Sequence, residues 1–208
     1  MELFIMGGPA MWPLAIFSVA ALGIIIERIV YFLYHNLKLD DLKDKTEEAI
    51  RGGNMKDAEV FLEGKAKRRM GARILLTLVK KSGLNEQRLE KAVETEAAKC
   101  IASLENGFSF LTMLGSISPL TGFLGTVTGM IGAFKSISEA ADVNAQIVAS
   151  GIYEALITTV FGLIIAIAAM SAHSVFSQIV DRFTVNVESV CSGLINDIYG
   201  QEKNKDEN

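Results

Sequence analysis

The chain has 208 residues, half of them hydrophobic, with a formal net charge of −4 and only 21% charged positions. Those charges leave three stretches almost empty, 11–26, 106–134 and 155–180, and one small soluble core has no use for three such segments. The balance excludes a basic nucleic-acid-binding domain and makes an integral membrane protein with three spans the base reading.

Residues 1–10 read as an external N-terminal segment. They carry Glu2 and no basic residue, so the positive start of a cleavable signal peptide is missing, and Leu3, Phe4 and Ile5 suit an interface. Residues 11–34 form the first expected span, with Trp12 at a membrane boundary and Pro13 in the first helical turn. Glu27 and Arg28 interrupt it. Either they form an interfacial pair with the arginine snorkelling, or Glu27 faces other helices.

Residues 35–105 make a soluble helical domain with 15 Lys and Arg against 13 Asp and Glu. The pattern predicts helices over 40–51, 55–70 and 72–81, with stops at Gly52-Gly53-Asn54 and Ser82-Gly83. Asn85 is a candidate cap for a fourth helix, whose Leu89, Val93, Ala97, Cys100 and Leu104 keep a helical stripe. With no proline between Asn85 and Ser118, that helix is expected to run straight into the second span. The cluster Lys65, Lys67, Arg68, Arg69 and Arg73 fits an inner-leaflet or solvated face better than a nucleic-acid site.

The second span, 106–134, is 29 residues without Asp, Glu, Lys, Arg or His. A helix of that length reaches about 43 Å, beyond the roughly 30 Å hydrocarbon core of a bilayer. Gly122, Gly125, Gly129 and Gly132 recur along it at three- and four-residue steps, the spacing that lets backbones approach in lipid. Residues 135–149 form a short external loop with one basic residue, Lys135, beside Glu139 and Asp142. The contrast with the basic 35–105 block places that block in the cytoplasm and the N terminus outside.

The third span, 150–174, repeats the habit of small residues. Gly151, Ala155, Thr159, Gly162, Ala166, Ala169 and His173 step down one face, with Thr158 beside the stripe. Both threonines are able to bond their own i−4 carbonyls. Residues 175–208 form a cytoplasmic helix, with Phe183, Val187, Val190 and Leu194 in register, and a charged tail expected to fray.

Catalytic chemistry is scarce. There is no phosphate-binding glycine loop with its lysine, no metal-ligand spacing, and the two histidines stand 138 positions apart. Cys100 and Cys191 read as reduced structural thiols. No cofactor and no enzyme activity is expected. Glu154 has two readings: a wet or paired carboxylate near the bilayer, or an acid capping the start of its helix. No span carries an acid in its middle, so this chain alone cannot move a proton across the membrane on a carboxylate.

The run Ser118-Pro119-Leu120-Thr121-Gly122-Phe123-Leu124-Gly125-Thr126-Val127-Thr128-Gly129-Met130 is followed by Gly151-Ile152-Tyr153-Glu154-Ala155-Leu156-Ile157-Thr158-Thr159 and Gly162-Leu163. Together these resemble the MotA/TolQ/ExbB proton-channel family, and most of all its ExbB and TolQ branch. The resemblance implies an all-α membrane protein in which long helices extend into the cytoplasm and five copies close a homopentameric ring. It implies a partner of the ExbD/TolR type, a single-span protein whose membrane Asp carries the proton, and a TonB- or TolA-like envelope protein beyond it. It makes the chain a stator-like subunit of a proton-driven motor in a bacterial inner membrane. In the family the threonines matching Thr126 and Thr159 line the channel, and Glu154 matches the motif glutamate. Two departures stand out: Ile167-Ala168-Ala169 where members often have Ile-Pro-Ala, and His173-Ser174 where they have Tyr-Asn. His173 is then either a titratable group at the inner mouth or an interfacial polar residue. The rival reading is a non-conducting helical membrane scaffold.

Overall fold

The structure is a computed structural model that describes residues 7–139 and 145–206; the interfacial Leu3, Phe4 and Ile5 and the loop's Asp142 fall outside them. Seven helices are present among the described residues: α1 (Met11–Tyr34), α2 (Asp40–Arg51), α3 (Met55–Lys65), α4 (Met70–Lys80), α5 (Glu86–Leu104), α6 (Phe108–Glu139) and α7 (Ala145–Asp206). The fold is all-α. Three stretches, in α1, in α5–α6 and in α7, are long and apolar enough to cross a membrane. The chain divides into two compact units, one of residues 1–28 and 107–175, the other of 29–106 and 176–208.

The first unit is built around small residues. On α6, Leu111, Leu114, Gly115, Ser118, Gly122, Gly125 and Ala133 are buried; on α7, Ala155, Thr158, Gly162, Ala166 and Ala169 are. Many large apolar side chains point outward instead. Val19 is 72% exposed, Leu120 67% and Ile167 66%. Water would penalise that arrangement heavily, whereas lipid accepts it, and helices then associate through close backbone packing. Arg28 is buried and bonded to Glu27, whose own side chain is largely exposed. The two stay paired, with the cation turned into the protein and the acid outward.

The second unit is an ordinary water-soluble core. Leu42, Ile50, Leu62, Ile74, Leu75, Leu78 and Leu89 are essentially inaccessible, and α4 packs on both α3 and α5. The α2 helix ends where Gly53 takes a left-handed φ of +73° and Asn54 N–H donates to the Ala49 carbonyl, 2.9 Å. Asn85 caps α5 as expected, its side-chain oxygen accepting from Arg88 N–H at 3.1 Å. The Arg69 guanidinium grips Asp41 through two 2.6 Å bonds and also donates to the Lys38 carbonyl. That hydrogen bonding, with Lys65 adding to it, holds the Asp41 carboxyl well below the usual range. Cys100 and Cys191 are free and buried, and burial pushes the Cys191 thiol up to about 12.

Three expectations change. The second helix stops at Lys65 instead of running to 70, because Ala66–Arg68 form a turn. The run from α5 into α6 is broken at Gly107, whose φ of +85° no helix accommodates. The third span and the C-terminal helix, by contrast, are one continuous α7 that reaches Asp206.

Candidate functional site

In the first unit α6 and α7 meet along their glycines. A methyl on Gly122 would stand 2.7 Å from the Thr158 carbonyl oxygen and 3.0 Å from Thr159 Cα, so only glycine permits the approach. The reciprocal contact is at Gly162, where a methyl would meet the Ser118 carbonyl at 2.5 Å. Gly125, Gly129 and Gly151 are similarly confined, against Thr158, Ala155 and Ala133. Gly132 differs: among the described residues nothing lies within 4 Å of its would-be Cβ.

Two hydroxyls converge at the tightest point. Thr158 Oγ1 and Thr159 Oγ1 each donate to the Gly122 carbonyl at 3.2 Å. Thr158 also donates to its own helix at Ala155, 2.8 Å, and is fully buried, while Thr159 is half-buried at the edge of the contact. The i−4 back-bonding considered for both threonines does not occur. Thr158, placed beside the stripe by its spacing, is the one in its centre. Thr126 lies one turn beyond Gly122 on α6, half-buried, its hydroxyl bonded to the Phe123 carbonyl at 2.6 Å. It makes no bond to the threonine pair.

Glu154 stands one turn before Thr158, half-buried, on the wall of a cavity of about 630 Å³ that also exposes the side chains of Thr128, Ser136 and Ser150. Because α7 begins at Ala145, Glu154 lies in its third turn, past the N–H groups an acid can cap. The capping reading therefore falls away. Gly8, with a left-handed φ of +65°, lies directly over this carboxylate, and a Cβ there would collide with Glu154 Oε1. Periodicity offered no hint of Gly8, which belongs to a non-helical turn far away in sequence. Ser118, which opens the motif run, is fully buried, and its hydroxyl is satisfied by the Leu114 carbonyl at 2.6 Å.

At the other end His173 is half-buried and meets the Phe108 ring edge-on, centroids 5.6 Å apart. It lies about 28 Å along α7 from Glu154 at 1.5 Å per residue. Over that distance neither α6 nor α7 supplies a carboxylate. Among the described residues no group of His, Cys, Asp or Glu is placed to hold a metal ion. The site can offer hydroxyls, a carbonyl and one end-placed carboxylate. It can position water or a foreign acid, and it lacks a nucleophile–base pair.

Comparison with known proteins agrees with this chemistry. The model of the MotA/TolQ/ExbB proton channel family matches residues 57–189, which takes in the α6–α7 contact. The putative biopolymer transport protein ExbB-like 3 of Synechocystis sp. is 31% identical over 175 residues, 83% of this chain and 82% of that protein. Biopolymer transport protein exbB1 of Vibrio cholerae is 29% identical over 182 residues, covering 85% and 78%. The Tol-Pal system protein TolQ of Haemophilus influenzae is 47% identical over 74 residues, 36% of this chain and 32% of TolQ. A family defined by ion passage fits a site with hydroxyls and no catalytic group, and the family match spans more than half of the sequence: the chain is a membrane-spanning member of the MotA/TolQ/ExbB proton channel family.

Proposed function

We propose that this protein is the stator-like subunit of an inner-membrane motor driven by the proton-motive force. Five copies form a ring through the large apolar faces of α6 and α7. The ring encloses helices of an ExbD/TolR-like single-span protein, whose membrane Asp carries the proton and whose motion is passed to a TonB- or TolA-like envelope protein. The N terminus is periplasmic, the loop at 135–149 is periplasmic, and residues 35–105 and 175–208 are cytoplasmic.

The observation that carries this reading is the pair of hydroxyls on one carbonyl, in a charge-free helix contact, with a carboxylate at one end only. A chain that conducts protons alone would need titratable groups through its middle, since acids inside membranes mark proton relays. This chain has hydroxyls there and leaves the acid to a partner. Glu154 and its cavity form the periplasmic mouth, Thr126 and Thr159 face the partner's Asp with Thr158 buried behind them on the Gly122 carbonyl, and His173 stands near the inner mouth. The glycines Gly122, Gly125, Gly129, Gly151 and Gly162, with Ala155 and Ala166, hold the helices close; Gly132 serves contacts outside the chain.

The test is co-reconstitution with an ExbD/TolR-like protein. Proton uptake by proteoliposomes should need both proteins and vanish when the partner's membrane Asp becomes Asn. Native mass measurement should give five copies of this chain. A complex that assembles but passes no protons, with or without that Asp, would make the chain a scaffold.

A further inference from the structure

We propose that Lys67 and Arg68, beside Tyr34, form a binding site for the anionic headgroup of a phospholipid. The site's assignment to the cytoplasmic leaflet rests on the orientation proposed above; its chemistry does not.

The basic turn between α3 and α4 is fixed against the end of the first span. The Arg69 guanidinium donates to the Lys38 carbonyl, four residues past α1, and holds Asp41 through both carboxylate oxygens at 2.6 Å. Arg69 is itself only 12% exposed, so this clamp is a built part of the second unit. With the turn held there, the Arg68 guanidinium lies 6.0 Å from the centroid of the Tyr34 ring, at the last residue of α1. Leu33 and Tyr34 are 80% and 60% exposed, as the closing turn of a lipid-facing helix would be. An exposed tyrosine in that place belongs at a membrane–water interface.

The cluster's five positive charges are not equivalent. Lys65 and Arg69 share the single carboxylate of Asp41, and Arg73 pairs with Glu96 at 2.5 Å. Lys67 and Arg68 have no carboxylate within ion-pair distance among the described residues, and both are exposed. Two cations without a carboxylate partner thus sit side by side in this turn, Arg68 over an interfacial aromatic that marks the depth of headgroup phosphates. Phospholipid with a net negative charge matches them; zwitterionic lipid does not. The overall charge of −4 argues against polyanionic nucleic acid as the ligand.

The experiment measures binding of phosphatidylglycerol and phosphatidylcholine to the full-length protein in mild detergent by native mass spectrometry. Wild type should prefer phosphatidylglycerol. In Lys67→Gln/Arg68→Gln its affinity should fall about thirtyfold, about fivefold for each charge, with phosphatidylcholine binding unchanged. Arg73→Gln removes a charge already paired and should leave the preference in place. Because Lys67 and Arg68 are exposed, the double variant should melt with wild type, and a matched melting temperature accompanies the binding data. Three results would overturn the proposal: equal binding of the two lipids by wild type, an undiminished preference in the double variant, or displacement of phosphatidylglycerol by inorganic phosphate, which would mark a free-anion site.

Discussion

Replacing Gly122 by Ala tests whether the α6–α7 contact is as tight as its geometry requires. The new methyl would lie 2.7 Å from a backbone oxygen, about 0.7 Å short of the 3.4 Å at which ordinary contact begins. Its neighbours are the Thr158 carbonyl and Thr159 Cα, which cannot swing away as a flexible side chain can. The helices must part, at an overpacking cost of ~1–3 kcal/mol. Parting also stretches the two hydroxyl bonds to the Gly122 carbonyl, each worth ~0.6 kcal/mol in a membrane. Against this, alanine is the better helix former by ~1 kcal/mol. The net loss is ~1–3 kcal/mol. Gly23→Ala is the control, since nothing lies within 4 Å of its would-be Cβ and only the propensity gain remains. Unfolding in mixed detergent micelles, followed by circular dichroism, should rank Gly23→Ala at or above wild type and Gly122→Ala well below. Equal stability of the two variants would refute the close-packing argument.

Gly8→Ala should displace the Glu154 carboxylate and strain a left-handed residue, lowering proton-linked function while the protein still assembles; unchanged function would remove Gly8 from the mouth. Asp41→Asn should lose under about 1 kcal/mol at neutral pH, since the ion pair is half-exposed. Because Asp41 ionises below its ordinary 3.8 when folded, its stabilisation is full above that value and fades as pH falls through the depressed one. The gap between wild type and Asp41→Asn in pH-dependent melting should therefore close in acid, and a constant gap contradicts the pairing. Cys191, its thiol pushed up to about 12, should resist iodoacetamide in the native protein and react once unfolded; rapid native labelling would show that its site is open.

Charge-free runs and glycine spacing made the three spans and the α6–α7 contact legible, because both follow from rules that act along one helix. Asn85 was legible for the same reason, as a cap satisfies local N–H groups. The break at Gly107 was not, since one glycine in an otherwise helical pattern signals equally a packed helix or a stop. Thr158 and Thr159 lie within 100° of each other on α7, and spacing from Ala155 chose the edge residue over the central one; only the position of Gly122 separates them. Arg28 turned inward through tertiary burial that a hydropathy pattern does not contain. The meeting of Gly8 with Glu154 joins chain segments 146 positions apart, beyond any local rule.

The hydroxyl of Thr159 is the most direct point at which to test the proton path. Thr159→Val keeps the branched shape and removes donor and acceptor, while Thr159→Ser restores the hydroxyl. Because Thr159 is half-buried and Thr158 keeps its own bond to the Gly122 carbonyl, the Val form should assemble. Proton uptake should be measured on the same co-reconstituted preparations used to count subunits. The predicted result is a sharp fall for Val and substantial recovery for Ser, at equal assembly. Equal uptake by wild type, Val and Ser forms would contradict the claim that this helix contact lines the proton path.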